Sequence, residues 1–197
     1  QNGIQISYDA AGAITDCTVS GCYYAGPDWT ACGILLYKPS AATIAGGSIS
    51  DCQTSACFQD VSGSMSGTQV TVSSSAGDGA WGIWCYNSLT TLAATAGAGA
   101  AAAPTRPETQ PLEEGAGAAA VTLGTAASLY TVALHDFCLS GPGAVNTEGI
   151  DVYSKGGGLH VTAEGMEITG WEYGIGVGGA GAPPAGAAPH AITGNLA

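Results

Sequence analysis

Titratable side chains are scarce in this sequence and nearly all of one sign, which narrows the chemistry open to it. Asp and Glu total 15, Lys and Arg only 3, and His 3, for a net charge of −12. Proton transfer must therefore rest chiefly on carboxylates. The most informative group is Asn146-Thr147-Glu148-Gly149-Ile150-Asp151-Val152, followed by Trp171-Glu172-Tyr173 and, near the end, His190. A carboxylic acid paired with a carboxylate is what hydrolysis of a glycosidic bond requires. Asp151 lies between Ile150 and Val152, so in a strand it faces away from the side those two bury. His135 and Asp136 are adjacent in sequence and read as a surface pair.

Other chemistries find less support. Asp9, Asp16, Asp28, Asp51 and Asp60 are scattered over turn-like positions and form no clustered oxygen set for Ca²⁺. There is no CxxC pair, no phosphate-binding glycine loop and no Ser-His-Asp arrangement, so no metal and no cofactor is expected. The cations are Lys38, Arg106 and Lys155 alone. Nucleic acid is an improbable partner, since neutralising phosphates takes clustered cations, and an anionic membrane surface is disfavoured for the same reason. No apolar run approaches the ~20 residues that span a bilayer. Seven cysteines without metal spacing suit an oxidising compartment, hence a secreted protein.

The elements that must position these groups are legible as a repeat. One phrase recurs at Gly3-Ile4-Gln5-Ile6, Gly33-Ile34-Leu35-Leu36, Gly82-Ile83-Trp84-Cys85, Gly149-Ile150-Asp151-Val152 and Gly174-Ile175-Gly176-Val177, with a looser copy at Ala120-Val121-Thr122-Leu123. Apolar residues at i and i+2 mark one face of a strand. A second phrase follows, in Ile14 and Val19-Ser20-Gly21, then Ile44 and Ile49-Ser50-Asp51, then Leu134 and Leu139-Ser140-Gly141. The repeats are rich in β-branched residues, Gly and Ser, not helix formers. Short strands joined by turns and stacked coil on coil give an all-β, right-handed parallel β-helix of about seven rungs.

The expected inward ladder is Ile4, Ile6, Ile34, Leu36, Ile83, Cys85, Val121, Leu123, Ile150, Val152, Ile175 and Val177. The rung between Ile34 and Ile83 must use Ala56-Cys57-Phe58 and Val70-Thr71-Val72. Residues 1–197 read as one domain, with Gly/Ala/Pro-rich loop insertions at 91–118 and 178–189. The chain starts and stops within coils, so a neighbouring chain or further sequence is expected to cover the open ends.

The same register stacks Cys22 on Cys52 and places Cys32 beside Cys57. Adjacent strands about 4.8 Å apart meet the Cα requirement of a disulfide, so both pairs are expected as bridges. Reduced core thiols and a Cys52–Cys57 loop are the competing arrangements. Cys85 belongs in the core, and Cys17 and Cys138 have no assignment.

Asn146-Thr147-Glu148-Gly149-Ile150-Asp151 resembles the Asn-Thr-Asp-Gly-Ile-Asp motif of the polygalacturonases, the pectin-hydrolysing glycoside hydrolases built on the parallel β-helix. Gly77-Asp78-Gly79-Ala80-Trp81, Arg106-Pro107 and Leu139-Ser140-Gly141-Pro142 are similar to its flanking turns, so residues 77–194 follow the family order. Glu172-Tyr173 stands where the family has Asp-Asp, and Pro189-His190-Ala191 where it has Gly-His-Gly. The family's terminal Arg-x-Lys has no counterpart.

The resemblance implies Glu148 as the base that activates water, Glu172 as the general acid in an inverting reaction, and His190 as an aid to either. Asp151 joins this catalytic set, while Lys155, Tyr173 and Trp171 would contact substrate. Tyr173 departs from the pattern, since tyrosine is no base near neutral pH. Trp29 and Trp84 are further candidates for stacking against sugars. With so few cations, a neutral glycan is as reasonable a substrate as polygalacturonate. The expectation is thus a secreted polysaccharide hydrolase. The competing class is a non-catalytic β-helix (a glycan-binding, adhesive or structural surface protein) suggested by low charge and Ser/Thr rows such as 68–75.

Overall fold

The computed structural model describes residues 2–26, 30–73, 80–88, 119–123, 130–155, 159–179 and 192–193. The described residues form strands and no helix. In chain order they are β1 (Ile4–Ser7), β2 (Ala11–Thr15), β3 (Thr18–Ser20), β4 (Cys32–Tyr37), β5 (Ala41–Ala45), β6 (Ser48–Ser50), β7 (Thr54–Gln59), β8 (Gly63–Ser66) and β9 (Gln69–Thr71). There follow β10 (Trp81–Asn87), β11 (Ala119–Leu123), β12 (Tyr130–His135), β13 (Cys138–Ser140), β14 (Glu148–Ser154), β15 (Leu159–Glu164), β16 (Glu167–Thr169), β17 (Tyr173–Gly179) and β18 (Ile192–Thr193).

Successive strands do not pair with one another. Apart from β11 and β18, each pairs in parallel with its counterpart one coil away, which is the architecture of a parallel β-helix solenoid. The first sheet has the order β1-β4-β7-β10-β14-β17, and the third has β3-β6-β9-β13-β16. In the second, β2-β5-β8-β12-β15 are parallel neighbours. The expected spacing holds residue for residue, with Ile4 opposite Ile34, Ile14 opposite Ile44 and Val19 opposite Ile49. The difficult rung uses β7 and β9, as the sequence required.

Between the sheets runs an apolar core of stacked like residues. The first sheet contributes Ile34, Ala56, Ile83, Ile150 and Ile175, with Leu36, Phe58, Cys85 and Val152 beside them. The second contributes Ile14, Ile44, Met65 and Leu134, and the third Val19, Ile49, Val70 and Leu139. Each buried Ile, Leu, Val, Phe or Met in these ladders stabilises the coil by about 1.5–3 kcal/mol relative to exposure.

The Val121 copy departs from expectation. Strand β11 lies in the second sheet, antiparallel to β15 and to β18, so Val121 and Leu123 do not extend the first-sheet ladder. Two apolar residues at i and i+2 identify a strand but not the sheet it joins. The insertions at 91–118 and 178–189 lie outside the described residues, apart from 178–179 at the end of β17.

The glycines that open four of the repeated phrases, Gly3, Gly33, Gly82 and Gly149, have a steric cause. A Cβ on Gly3 would stand 2.7 Å from the carbonyl oxygen of Gly33, and one on Gly149 would stand 2.7 Å from that of Gly174. One on Gly82 would run into the Gly149 carbonyl and, at 2.5 Å, into Leu139 Cδ2. The chain bends here from the third sheet into the first, and neighbouring coils touch backbone to backbone. Gly82→Ala is therefore expected to cost roughly 1–3 kcal/mol by overpacking, read as a lower thermal midpoint. An unchanged midpoint would contradict this packing.

The turn from the second to the third sheet needs a left-handed residue. Asp16 (φ 51°), Gly46 (66°), Gly67 (61°), Asp136 (57°) and Gly165 (61°) supply it, residue types that tolerate this conformation.

Neither expected disulfide forms, and all seven cysteines are free thiols. Cys22 and Cys52 do occupy equivalent places, each with Sγ toward the carbonyl two residues back, at 3.9 Å (Ser20) and 3.3 Å (Ser50). Stacked side chains on parallel strands point the same way rather than converging, so the Cα distance is met while a bridge also needs Cβ atoms nearer than the strand spacing. Cys32 is opposite Thr54, and Cys57 is opposite Leu35, so that pair is offset along the strands. The Cys32 thiol beside it, and then burial, push the Cys57 thiol well up. Burial chiefly pushes Cys52 up to about 12, and burial also raises Cys85.

Thiol titration without reductant should count seven groups in denaturant. In the native protein, exposed Cys138 should react ahead of buried Cys57 and Cys85. A count of three in denaturant would mean that both bridges exist.

Candidate functional site

The outer face of the first sheet carries the candidate carboxylates Glu148 and Asp151. The core residues of β10 and β14 are Ile83, Cys85, Ile150 and Val152, so Trp84, Tyr86, Asp151 and Tyr153 point outward by alternation. The bend at the glycine returns the residue before it to the same face, which places Trp81 beside Trp84.

Glu148 and Asp151 share this face. Glu148 is 6% exposed, and its carboxylate lies over Gly176, where any Cβ would collide with it. Asp151 is half-buried, in register with Gly176 on one side and Trp84 on the other. The Glu148 carboxylate fills the place a side chain at position 176 would take, and Asp151 stands opposite that same glycine. Two carboxylates on one sheet face can divide the work of acid and base.

Glu172 is placed differently. The residue opposite Glu148 is Tyr173, and Glu172 falls one position earlier. Its amide donates to Thr147 Oγ1 at 3.2 Å, and its carboxylate accepts a short hydrogen bond from the Asn146 amide. Asn146 has φ 58°, and Thr147 Oγ1 donates to the Ala144 carbonyl at 2.7 Å. Glu172 therefore braces the turn ahead of β14 while Glu148 faces outward.

Trp171 also serves the framework. Its indole N–H donates to the Leu139 carbonyl at 3.3 Å, and the ring covers the glycine bend at Gly82, Gly141 and Gly149 against the core. Lys155 is exposed, with Nζ 5.8 Å from the centre of the Tyr86 ring, whose hydroxyl chiefly raises its pKa. His135 Nδ1 lies 3.1 Å from Asp136 Oδ2 on the second sheet, away from this face. His190, Trp29, Asp78 and Arg106 lie outside the described residues.

Two arrangements emerge only in the fold, although Trp84 by itself was a candidate for stacking against sugars. One is a row of four rings. Trp81 and Trp84 have centroids 6.1 Å apart, Trp84 and Tyr86 5.2 Å, and Tyr86 and Tyr153 5.8 Å, with interplanar angles of 20–30°. The alternation Trp84-Cys85-Tyr86 and Asp151-Val152-Tyr153 was the available signal. The other is a polar corner in which buried Asp60 accepts from the Ser88 amide and hydroxyl, with Lys38 Nζ 3.8 Å away. No group of three or more His, Cys, Asp or Glu that could hold a metal ion occurs among the described residues.

Comparison with known proteins finds no family model, no curated protein and no solved structure that matches this chain.

Proposed function

We propose that the protein is a secreted polysaccharide hydrolase, polygalacturonase-like in plan, that works on the outer face of the first sheet. The observation that carries this reading is the placement of Glu148 and Asp151 around Gly176. Between them they supply the proton for the departing glycosidic oxygen and the base that activates water. Glu172 acts as a brace for the Asn146 turn and not as the acid. The coil is taken as right-handed, the hand of nearly all parallel crossovers. The test is release of reducing ends from a panel of polysaccharides. Release that disappears in Glu148→Gln supports the reading, and no release from any member by the folded protein refutes it.

A glycan-binding protein without catalysis is the second reading. It is favoured by Tyr173 standing opposite Glu148 and by Glu172 being held on a backbone amide. Retention on an insoluble polysaccharide without cleavage is its expected signature.

A further inference from the structure

The four-ring row on the outer face has no part in acid–base chemistry, yet it is the least ordinary surface among the described residues. The outward side of an exposed strand is commonly polar, and the same face of β1 carries Gln5 and Ser7. On β10 and β14 it instead carries Trp81, Trp84, Tyr86 and Tyr153, all half-buried and overlapping at 5.2–6.1 Å between centres. They lie outside the core, which is formed on the inner side of both strands by Ile83, Cys85, Ile150 and Val152, and they pack on one another across the outer face.

We infer that this row is the binding strip for a neutral pyranosyl polysaccharide, whose C–H faces lie against the rings while its hydroxyls remain in water. Phenol suits such a ligand, having an apolar face and a polar edge, whereas Trp84, with its Nε1 buried, offers apolar surface alone. The position relative to the carboxylates supports the assignment. Trp84 is in register with Asp151, so a chain on the rings passes directly beside Asp151 and Glu148.

The charge balance selects the ligand class. Glu148 and Asp151 border the strip. Of the two cations at its edge, Lys38 lies 3.8 Å from the Asp60 carboxylate and Lys155 lies over Tyr86. A polyuronate would bring one further negative charge per sugar to a protein of net charge −12. A neutral chain meets no such repulsion.

This inference rests on the reading that the face takes a glycan, but it does not require cleavage. The test is titration of the full chain with neutral gluco-, xylo- and manno-oligosaccharides and with oligogalacturonate, followed by tryptophan fluorescence and calorimetry. At least one neutral series is expected to bind and shift the fluorescence. Trp84→Ala and Tyr153→Ala should each weaken binding roughly tenfold, and oligogalacturonate should bind at least tenfold less well. Tyr86→Leu keeps the bulk and removes the aromatic face, so it serves where Trp84→Ala fails to fold. Binding of oligogalacturonate alone, or binding unchanged in all three variants, would overturn the assignment. Ring-dependent binding without reducing ends would sustain it and remove the hydrolase reading. Cleavage of polygalacturonate independent of the rings would do the opposite.

Discussion

Glu148→Gln is expected to lower glycan hydrolysis by about 10²–10⁴-fold, the usual worth of a positioned acid or base. Gln keeps the shape over Gly176 and removes the ability to exchange a proton, so binding to the aromatic row should change little. The variant should thus lose turnover while keeping fluorescence quenching by ligand. Loss of binding in parallel with turnover would instead mean that Glu148 holds the face together. That alternative is tested by circular dichroism of the variant, because Glu148 is buried and a collapsed site would show as lost β-sheet signal or a lower midpoint.

The second large effect concerns the coil itself. Phe58 is 1% exposed and stands between Leu36 and Cys85 in the inner ladder of the first sheet. It is the largest fully buried side chain among the described residues, and its ring also lies against Gly63 of the second sheet. Phe58→Ala should cost about 3–5 kcal/mol, made up of lost transfer energy and the cavity left behind. For a chain of this size each kcal/mol lowers the thermal midpoint by roughly 2–4 °C. Phe58→Leu should recover most of that loss. A midpoint within 2–4 °C of the parent for Phe58→Ala (about the shift of a single kcal/mol) would mean that this coil contributes little to the cooperative unit.

The fold was legible because burial in a stacked coil writes itself as period-2 apolar pairs at coil-length intervals. Ile4, Ile34, Ile83, Ile150 and Ile175 occupy the positions that spacing assigns. Val121 did not, because pairing partner and strand direction leave no mark on the phrase itself. The disulfides were misjudged for a geometric reason. Register fixes the distance between Cys22 and Cys52 along the stack but leaves their side chains parallel, and it offsets Cys32 from Cys57.

The candidate site was half legible. Asp151 and Glu148 were identifiable from the segment they share. The direction of the Glu172 side chain depends on the left-handed turn at Asn146, a tertiary detail that no local pattern encodes. The outward rings of Trp84, Tyr86 and Tyr153 were implicit in the same alternation that revealed the core. Trp81 joins them only through the bend at Gly82.

The most direct test is a side-by-side measurement of reducing-end release by the parent, Asp151→Asn and Glu172→Gln on a panel of polysaccharides. Asp151→Asn should fall to the level of Glu148→Gln, while Glu172→Gln should stay within about tenfold of the parent, its residue bracing a turn and not meeting substrate. An inactive Glu172→Gln beside an active Asp151→Asn would contradict the assignment of Glu148 and Asp151 as the working pair.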